Sequence, residues 1–180
     1  MTWQAGEVIS LLRWQRHDIL NHLQVIYGYI QLKKGERALS YLEQVVGELE
    51  RLGTVLRLKQ PELALLILKK MEELTNRGIN LRCDIHTMME NLDLEKDAAL
   101  ALWESAWDLA MALAGDGGTL NVSLTEVADG YCLSFKFGGE AVLPEGDAAR
   151  LAELAGHHQI PFVWEPARGE MSLLFKKRLS

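Results

Sequence analysis

The chain is poor in cysteine. Only Cys83 and Cys132 occur among its 180 residues, and each lies in a short apolar run typical of a strand. A small secreted fold held by disulfides needs several cysteines, and a thiolate metal site usually needs them at short spacings. We therefore predict that both are buried free thiols rather than a disulfide or a metal pair.

An excess of positive charge and long apolar runs are also lacking. The chain has 25 acidic against 19 basic residues and a net charge of −6, which argues against nucleic acid as the main partner. No run reaches the roughly 18 apolar residues of a membrane span, and residues 1–12 lack the pattern of a signal peptide. With 48% hydrophobic residues the chain can still bury an ordinary core. The sequence thus predicts a cytoplasmic globular protein that binds neither nucleic acid nor membrane.

The clearest pattern lies between Arg13 and Leu32 and begins a little before it. Apolar residues recur there at spacings of three, four and seven, which predicts a helix with one buried apolar seam. The seam consists of Ile9, Leu12, Ile19, Leu23, Ile26 and Ile30. The opposite side of this helix carries a polar stripe, formed by His17, Asn21, Gln24 and Gly28. An exposed imidazole with an amide one turn later indicates a reactive site, and the glycine would let a partner approach closely.

A second helix follows a short connection. Lys33-Lys34-Gly35 predicts the end of the first helix, with Gly35 in the left-handed cap conformation. From Glu36 onward a new apolar stripe predicts an antiparallel partner helix. The two stripes together exceed what one hairpin can cover, which predicts a homodimer with a four-helix bundle. Because Pro61 disfavours helix in the preceding residue, we place the domain boundary between residues 1–60 and 61–180.

Residues 61–180 show the order α, β, α, β, β, α, β, β. This order predicts an α+β domain in which helices cover one face of a sheet. Asp93 is the predicted cap of a long helix, and Asp129-Gly130 is the predicted two-residue turn of a hairpin. Trp103 and Trp107 lie four residues apart on that helix and are predicted to anchor the core.

The remaining histidines do not indicate a metal site. His86, His157 and His158 lack the spacing of a histidine pair with a nearby acid. We therefore predict no metal ligand in the chain.

The polar stripe belongs to a longer motif. From Arg16 to Leu32 the chain reads Arg-His-Asp-x-x-Asn-His-Leu-Gln-x-Ile-x-Gly-x-x-x-Leu, which resembles the phospho-acceptor box of the sporulation-phosphotransferase type of sensor-kinase domain. The first histidine of that box carries the phosphoryl group in the family. The resemblance therefore implies that His17 is the acceptor and that His22 is not. Gln24 and Gly28 would lie on the surface where a partner docks.

Four neighbours of His17 are candidates for its phosphoryl environment. Guanidinium groups of Arg13 and Arg16 would favour a dianionic phosphoryl group. The carboxylate of Asp18 could orient the imidazole, and Asn21 could position water or the phosphoryl group. Each has a plain alternative as well. Asp18 and Asn21 could be simply solvated, and Arg16 could form a structural ion pair.

The second domain resembles the catalytic domain of histidine kinases, the GHKL ATP-binding fold. The likeness rests on the order of elements and on the pattern at the start of the domain, which comprises Pro61, Leu63, Ala64, Ile67 and Lys70. The ATP-binding residues of that family are missing. Ser105 and Leu109 stand where asparagines hold magnesium and phosphates, and Phe137, followed by Gly138-Gly139, stands where an aspartate binds adenine.

The second glycine-rich box is also absent, and residues 157–161 stand in its place. A magnesium-bound triphosphate needs hard oxygen ligands and aligned donors, which leucine and phenylalanine do not provide. The sequence therefore predicts that the chain has no cofactor of its own and does not use ATP.

These features together predict a phosphorelay phosphotransferase. His17 would take a phosphoryl group from the aspartate of one response regulator and pass it to the aspartate of another, with Mg²⁺ held by the regulator's receiver domain. Two alternatives stay open. The chain could be an authentic sensor-type histidine kinase with a divergent ATP site, or a noncatalytic dimer that binds response regulators.

Overall fold

The computed structural model describes residues 4–138 and 145–178, so Gly139 lies outside the described residues. Helices α1 and α2 form a hairpin that precedes a layer of three helices and five strands. Their bounds are α1 Ala5–Gln31, α2 Gly35–Val55, α3 Pro61–Asn76, β1 Asn80–Ile85, α4 Lys96–Ala114, β2 Thr119–Val127, β3 Gly130–Phe137, α5 Glu145–His157, β4 Phe162–Glu165 and β5 Glu170–Lys176. The predicted order and the α+β class are confirmed.

The five strands form one mixed sheet in the order β1-β2-β3-β5-β4. Strand β1 runs parallel to β2 because α4 crosses over between them, and the other neighbouring pairs are antiparallel. Helices α3, α4 and α5 contribute to one core with alternate residues of the strands. Trp103 and Trp107 are fully buried there, and Trp107 packs edge-on against Phe135 at 5.3 Å between ring centroids. The predicted core role of both tryptophans is confirmed.

The two cysteines are free. Cys83 is buried, and burial raises the pKa of its thiol to about 12. Cys132 is only half-buried. The prediction of buried thiols is therefore confirmed for Cys83 and wrong for Cys132.

The connection between α1 and α2 differs from the prediction. Lys33 adopts the left-handed conformation with φ 55°, whereas Gly35 is the first residue of α2. The N–H groups of Lys33 and Lys34 donate to the carbonyls of Ile30 and Tyr29, both at 2.9 Å. Only three residues separate α1 from α2, and the chain must reverse within them. The left-handed residue is therefore Lys33, in the middle of this connection, and not Gly35.

Asp93 does not cap α4. The residue before this helix is Glu95, and its side chain makes no capping hydrogen bond. Asp93 instead accepts a hydrogen bond from Nε of Arg178 at 3.3 Å, and its N–H donates to the carbonyl of Lys176 at 3.0 Å. These bonds fix the loop before α4 to the end of β5.

Gly130 does not belong to the hairpin turn. It pairs with Val127 in the ladder, so the turn consists of residues 128 and 129. A side chain at Gly130 would bring Cβ within 1.9 Å of the carbonyl oxygen of Phe175. The glycine is therefore required by the close approach of β5 rather than by the turn.

The apolar seam of α1 is exposed in the single chain, so the predicted burial of this seam is not found within one chain. Leu12, Leu23 and Ile30 are 54%, 55% and 59% exposed. Leu11 is the buried residue of α1, and α2 buries Ala38, Val45 and Val55. Large apolar side chains of α2 are exposed as well, namely Leu39, Leu42, Val46 and Leu49, and so is Leu56 directly after it. Both helices thus present apolar surface that a further chain could bury.

The hairpin is fastened to the sheet layer at its open end. Val55 and Leu58, at the end of α2, belong to the same core as the sheet and its helices. The N–H of Lys59 donates to the carbonyl of Met88 at 2.9 Å, and the side-chain amide of Gln60 donates to that of Met89 at 2.8 Å. These contacts hold the link between α2 and α3 against the loop that follows β1.

Candidate functional site

His17 lies on the exposed side of α1 with Asn21 one turn further on. The amide nitrogen of Asn21 lies 3.1 Å from Nδ1 of His17, within hydrogen-bond distance. Nε2 of His17 has no hydrogen-bond partner among the described residues, and the imidazole is exposed. The structure thus brings these two predicted site residues together on an open surface.

Gln24 and Gly28 continue this face toward the end of α1. Gln24 is exposed, and Gly28 is half-exposed. A Cβ added at Gly28 would meet no atom within 4 Å. The described chain therefore gives no steric reason for a glycine at this position. A glycine inside a helix nevertheless costs about 0.5–1 kcal/mol relative to alanine.

Arg13 and Arg16 lie on the turn before His17. Both are exposed, and neither guanidinium makes an ion pair with a described residue. The structural ion pair considered for Arg16 is therefore not found in the described part of the chain. Both side chains are available to an anionic group that approaches His17.

Asp18 is directed toward a different histidine. Its Oδ2 lies 3.5 Å from Nε2 of His22, on the side of α1 that faces α2. The same nitrogen lies 3.6 Å from Oε2 of Glu48, and Nδ1 of His22 is hydrogen bonded to the hydroxyl of Tyr41 at 2.9 Å. Our sequence reasoning missed Tyr41 and Glu48. An antiparallel alignment of α1 with α2 would have placed Tyr41 and Glu48 opposite the part of α1 around His22.

A cleft of about 710 Å³ lies between α4 and α5. Ser105 and Leu109, which stand at the predicted nucleotide-binding positions of a kinase, line this cleft. Leu109 is only 1% exposed, and Phe137 is buried with its ring 6.2 Å from that of Trp164. The ionisable residues that line the cleft are Glu104, Asp108, Asp147, Arg150, Glu153 and His157. Carboxylates outnumber cationic groups there, which disfavours a triphosphate.

An ion pair formed by a buried lysine joins α3 to α4 at this cleft. Nζ of Lys70 donates to Asp108 at 2.6 Å and to Glu73 at 3.0 Å. Burial alone would lower the pKa of Lys70, but the hydrogen bonds to Asp108 and Glu73 outweigh it and raise that pKa. Asp108 is therefore engaged in a structural pair.

The described part of the chain contains no candidate metal cluster and no candidate membrane span. No group of three or more His, Cys, Asp or Glu residues in it is arranged to hold a metal ion. Among the described helices, none combines the length and apolar character needed to cross a lipid bilayer.

The fold resembles that of solved histidine kinase structures. The catalytic domain of histidine kinase ThkA superposes with a TM-score of 0.51 at 9% identity, covering 61% of this chain and 86% of that one. Histidine kinase ThkA in complex with response regulator protein TrrA gives 0.52 at 13% identity, covering 93% of this chain and 60% of that one. These likenesses establish the architecture alone, and they confirm the likeness predicted for the second domain.

The helical hairpin points to a narrower relationship. Residues 1–58 match the family model described as Sensor kinase SpoOB-type, alpha-helical domain. Sporulation initiation phosphotransferase B of Bacillus subtilis (strain 168) is 38% identical over 60 residues, which cover 33% of this chain and 31% of that protein. The aligned segment thus spans less than a third of the relative's length. Residues 1–58, which match the family model, contain the whole stretch from Arg16 to Leu32, and the resemblance predicted there is confirmed.

Proposed function

We propose that the chain is a phosphorelay phosphotransferase with His17 as its phosphoryl acceptor. The observation that carries the proposal is the exposed pair of His17 and Asn21 within the segment that matches the SpoOB-type helical domain. A relative named as a phosphotransferase is 38% identical over 60 residues of the chain. The donor and the final acceptor are aspartates in the receiver domains of two response regulators.

The hydrogen bond between Asn21 and Nδ1 suits this chemistry. In the structure the amide nitrogen of Asn21 faces Nδ1; a half-turn of the amide brings its oxygen there instead, where it accepts the Nδ1 proton and leaves the lone pair on Nε2. Nε2 then attacks phosphorus, the bond from phosphorus to the aspartyl oxygen breaks, and the carboxylate leaves with the electron pair. The reverse step on a second regulator returns the imidazole to its starting state.

Charge neutralisation comes from both partners. Arg13 and Arg16 are exposed one turn before His17 and make no ion pair with a described residue, so they can approach phosphoryl oxygens. When bound in a receiver domain, Mg²⁺ supplies further positive charge at the phosphoryl oxygens. The phosphotransferase itself supplies the nucleophile and its orientation.

We further propose that residues 1–60 form the acceptor and dimerisation domain, with two hairpins in a four-helix bundle, and that residues 61–180 form a second domain. The exposed apolar side chains of α1 and α2 support the dimer. A solved relative in complex with a response regulator supports receiver domains as partners. The face from His17 to Gly28 is the docking surface in this proposal, and the site of action is the cytoplasm.

Chemistry at the α4–α5 cleft supports a protein that does not take its phosphoryl group from ATP. Buried Leu109 and Phe137 offer no oxygen ligand, and Asp108 is paired with Lys70. The carboxylates that line the cleft repel a triphosphate. A phosphorylated receiver domain is then the remaining donor.

Transfer of label tests the proposal. The purified chain is mixed with ³²P-labelled phosphorylated receiver domains, and with labelled ATP in a parallel reaction. We expect acid-labile, base-stable label on the wild type from a receiver domain and none from ATP alone. His17→Gln should take up no label, whereas His158→Gln, which changes a histidine far from α1, should match the wild type.

The alternatives make different predictions in the same experiment. Label on His17 from ATP without a regulator would favour a kinase with a divergent ATP site. Tight binding of a receiver domain without transfer, unchanged in His17→Gln, would favour a noncatalytic binding protein.

A further inference from the structure

His22 joins the two helices of the hairpin just beyond the acceptor. Its side chain is 18% exposed. Nδ1 is hydrogen bonded to the hydroxyl of Tyr41 at 2.9 Å, and Nε2 lies 3.5 Å from Asp18 and 3.6 Å from Glu48. Both ring nitrogens therefore face partners, one on α1 and two on α2.

Carboxylates only accept hydrogen bonds, so Asp18 and Glu48 favour a proton on Nε2 of His22 and leave Nδ1 to accept from Tyr41. Burial raises the pKa of Tyr41, and the carboxylates of Glu48 and Asp18 raise it further, so the hydroxyl keeps the proton that it donates. With Tyr41 O–H donating to Nδ1, the proton of neutral His22 lies on Nε2 and faces the two carboxylates. The ring of Tyr29 packs edge-on against Tyr41 at 6.2 Å between centroids, which holds the phenol in place.

Polar contacts matter here because α1 has little apolar packing in the chain. Leu11 is its buried residue, and most of its large apolar side chains are exposed. Apolar contact is non-directional and permits a helix to rotate about its axis, whereas hydrogen bonds at fixed atoms do not. His17 and His22 are five residues apart, so any rotation of α1 that broke the His22 contacts would turn His17 by the same angle.

We propose that His22 is a positioning residue: with Tyr41 and Glu48 it fixes the rotation of α1 on α2 and holds Asp18 toward α2, so that the His17–Asn21 pair faces the incoming aspartyl phosphate. This inference rests on the proposed function, because it concerns the same transfer. His22 itself does not touch the reacting atoms. A small error in the direction of a nucleophile is sufficient to slow an in-line transfer strongly.

The experiment measures single-turnover transfer from a phosphorylated receiver domain at increasing receiver concentration. His22→Leu removes both ring nitrogens, Tyr41→Phe removes only the hydroxyl, and His22→Asn puts an amide near the position of Nδ1. We expect His22→Leu to lower the saturating rate by about tenfold and Tyr41→Phe by about threefold, with half-saturating concentrations unchanged. His22→Asn should recover most of the loss.

Two further variants separate positioning from other effects. In the double variant of His22→Leu and Tyr41→Phe, the fold-loss in rate should be smaller than the product of the two single fold-losses. Each change breaks the same hydrogen bond between His22 and Tyr41, which can be lost only once. Glu43→Gln changes a charge two residues from Tyr41 and should transfer at the wild-type rate. Circular dichroism melts report the folded fraction of each variant.

Each result supports or overturns the inference. If the wild type transfers and folded His22→Leu matches it, the positioning role is wrong while the proposed function stands. If rates fall only as far as the folded fraction falls, or if half-saturation alone changes, the role is structural or concerns docking. If the wild type accepts no phosphoryl group from any receiver domain, the proposed function and this inference fail together.

Discussion

Lys70 shows how one side chain can couple two helices. Lys70 is 4% exposed, and its ammonium donates to Asp108 on α4 and Glu73 on α3. Removing one acceptor leaves a buried cation with a single partner, whereas removing the cation leaves an aspartate that is 57% exposed and can return to water. Removal of Asp108 should therefore destabilise the fold more than removal of the Lys70 cation.

We predict that Asp108→Asn lowers the free energy of unfolding by about 1 kcal/mol, with solvent screening at Asp108 keeping the loss at the low end. Lys70→Met should cost less. Urea denaturation at pH 7 measures both. Glu104→Gln, which removes a charge from the same cleft, is the control and should leave stability nearly unchanged.

The stabilisation that Lys70 gains from Asp108 depends on pH with a definite sign. The folded state raises the pKa of Lys70, so the stabilisation is complete below the ordinary lysine pKa of about 10.4 and is lost as pH rises through the higher folded value. We predict that, as pH is raised from 7, the unfolding free energies of wild type and Asp108→Asn converge only at values above that ordinary range. Convergence between pH 5 and 8 would contradict the assignment.

At this scale the sequence allowed only part of the site to be predicted. The juxtaposition of His17 and Asn21 follows from helical spacing, and it is found at 3.1 Å. Asp18 could not be placed, because its partner His22 is set by contacts to a second helix. Tyr41 is 19 residues from His22, and Asp108 is 38 from Lys70. Such pairs depend on tertiary packing, which local patterns do not encode.

Whole elements were predicted better than their ends. Strong periodicity gave α1, α2 and α4, and alternation gave β1. Their ends depend on local competition: Lys33 takes the left-handed position expected of Gly35, and Asp93 pairs with Arg178 instead of capping α4. A single residue type therefore indicates a boundary without fixing which residue occupies it.

Gly28 permits a test of α1 as a docking element. Alanine there should stabilise the helix by about 0.5–1 kcal/mol, because the added Cβ meets no atom within 4 Å. If a receiver domain approaches this face closely, the same methyl group should weaken binding by about tenfold. Thermal melts measure the first effect, and titration with a receiver domain measures the second.

Gly53 provides the matched control for that prediction. It lies near the end of α2, as Gly28 lies near the end of α1, and it too has open space around an added Cβ. Gly53→Ala should give a similar gain in stability with unchanged binding. Equal binding by both variants would remove Gly28 from the docking surface.

For the whole molecule, the sequence predicted the architecture but not the state of its apolar seam. The order of elements was sufficient for an α+β layer behind a helical hairpin, because each strand and helix has its own local signal. The burial of Leu12 and Leu23 depends on contacts outside the single chain. In the single chain they are exposed, and α2 packs beside α1 without covering them.

The proposed dimer turns this exposure into a measurable expectation. Leu23 is 55% exposed in the single chain and occurs twice in a two-fold bundle. Burial of one leucine contributes about 1.5–3 kcal/mol, so Leu23→Glu should weaken association by a hundredfold or more through both copies. We predict that the wild type sediments as a dimer at micromolar concentration and that Leu23→Glu sediments as a monomer. Val163→Glu, an exposed apolar position on β4, should remain dimeric, whereas a monomeric wild type would show that something other than a second copy covers the seam.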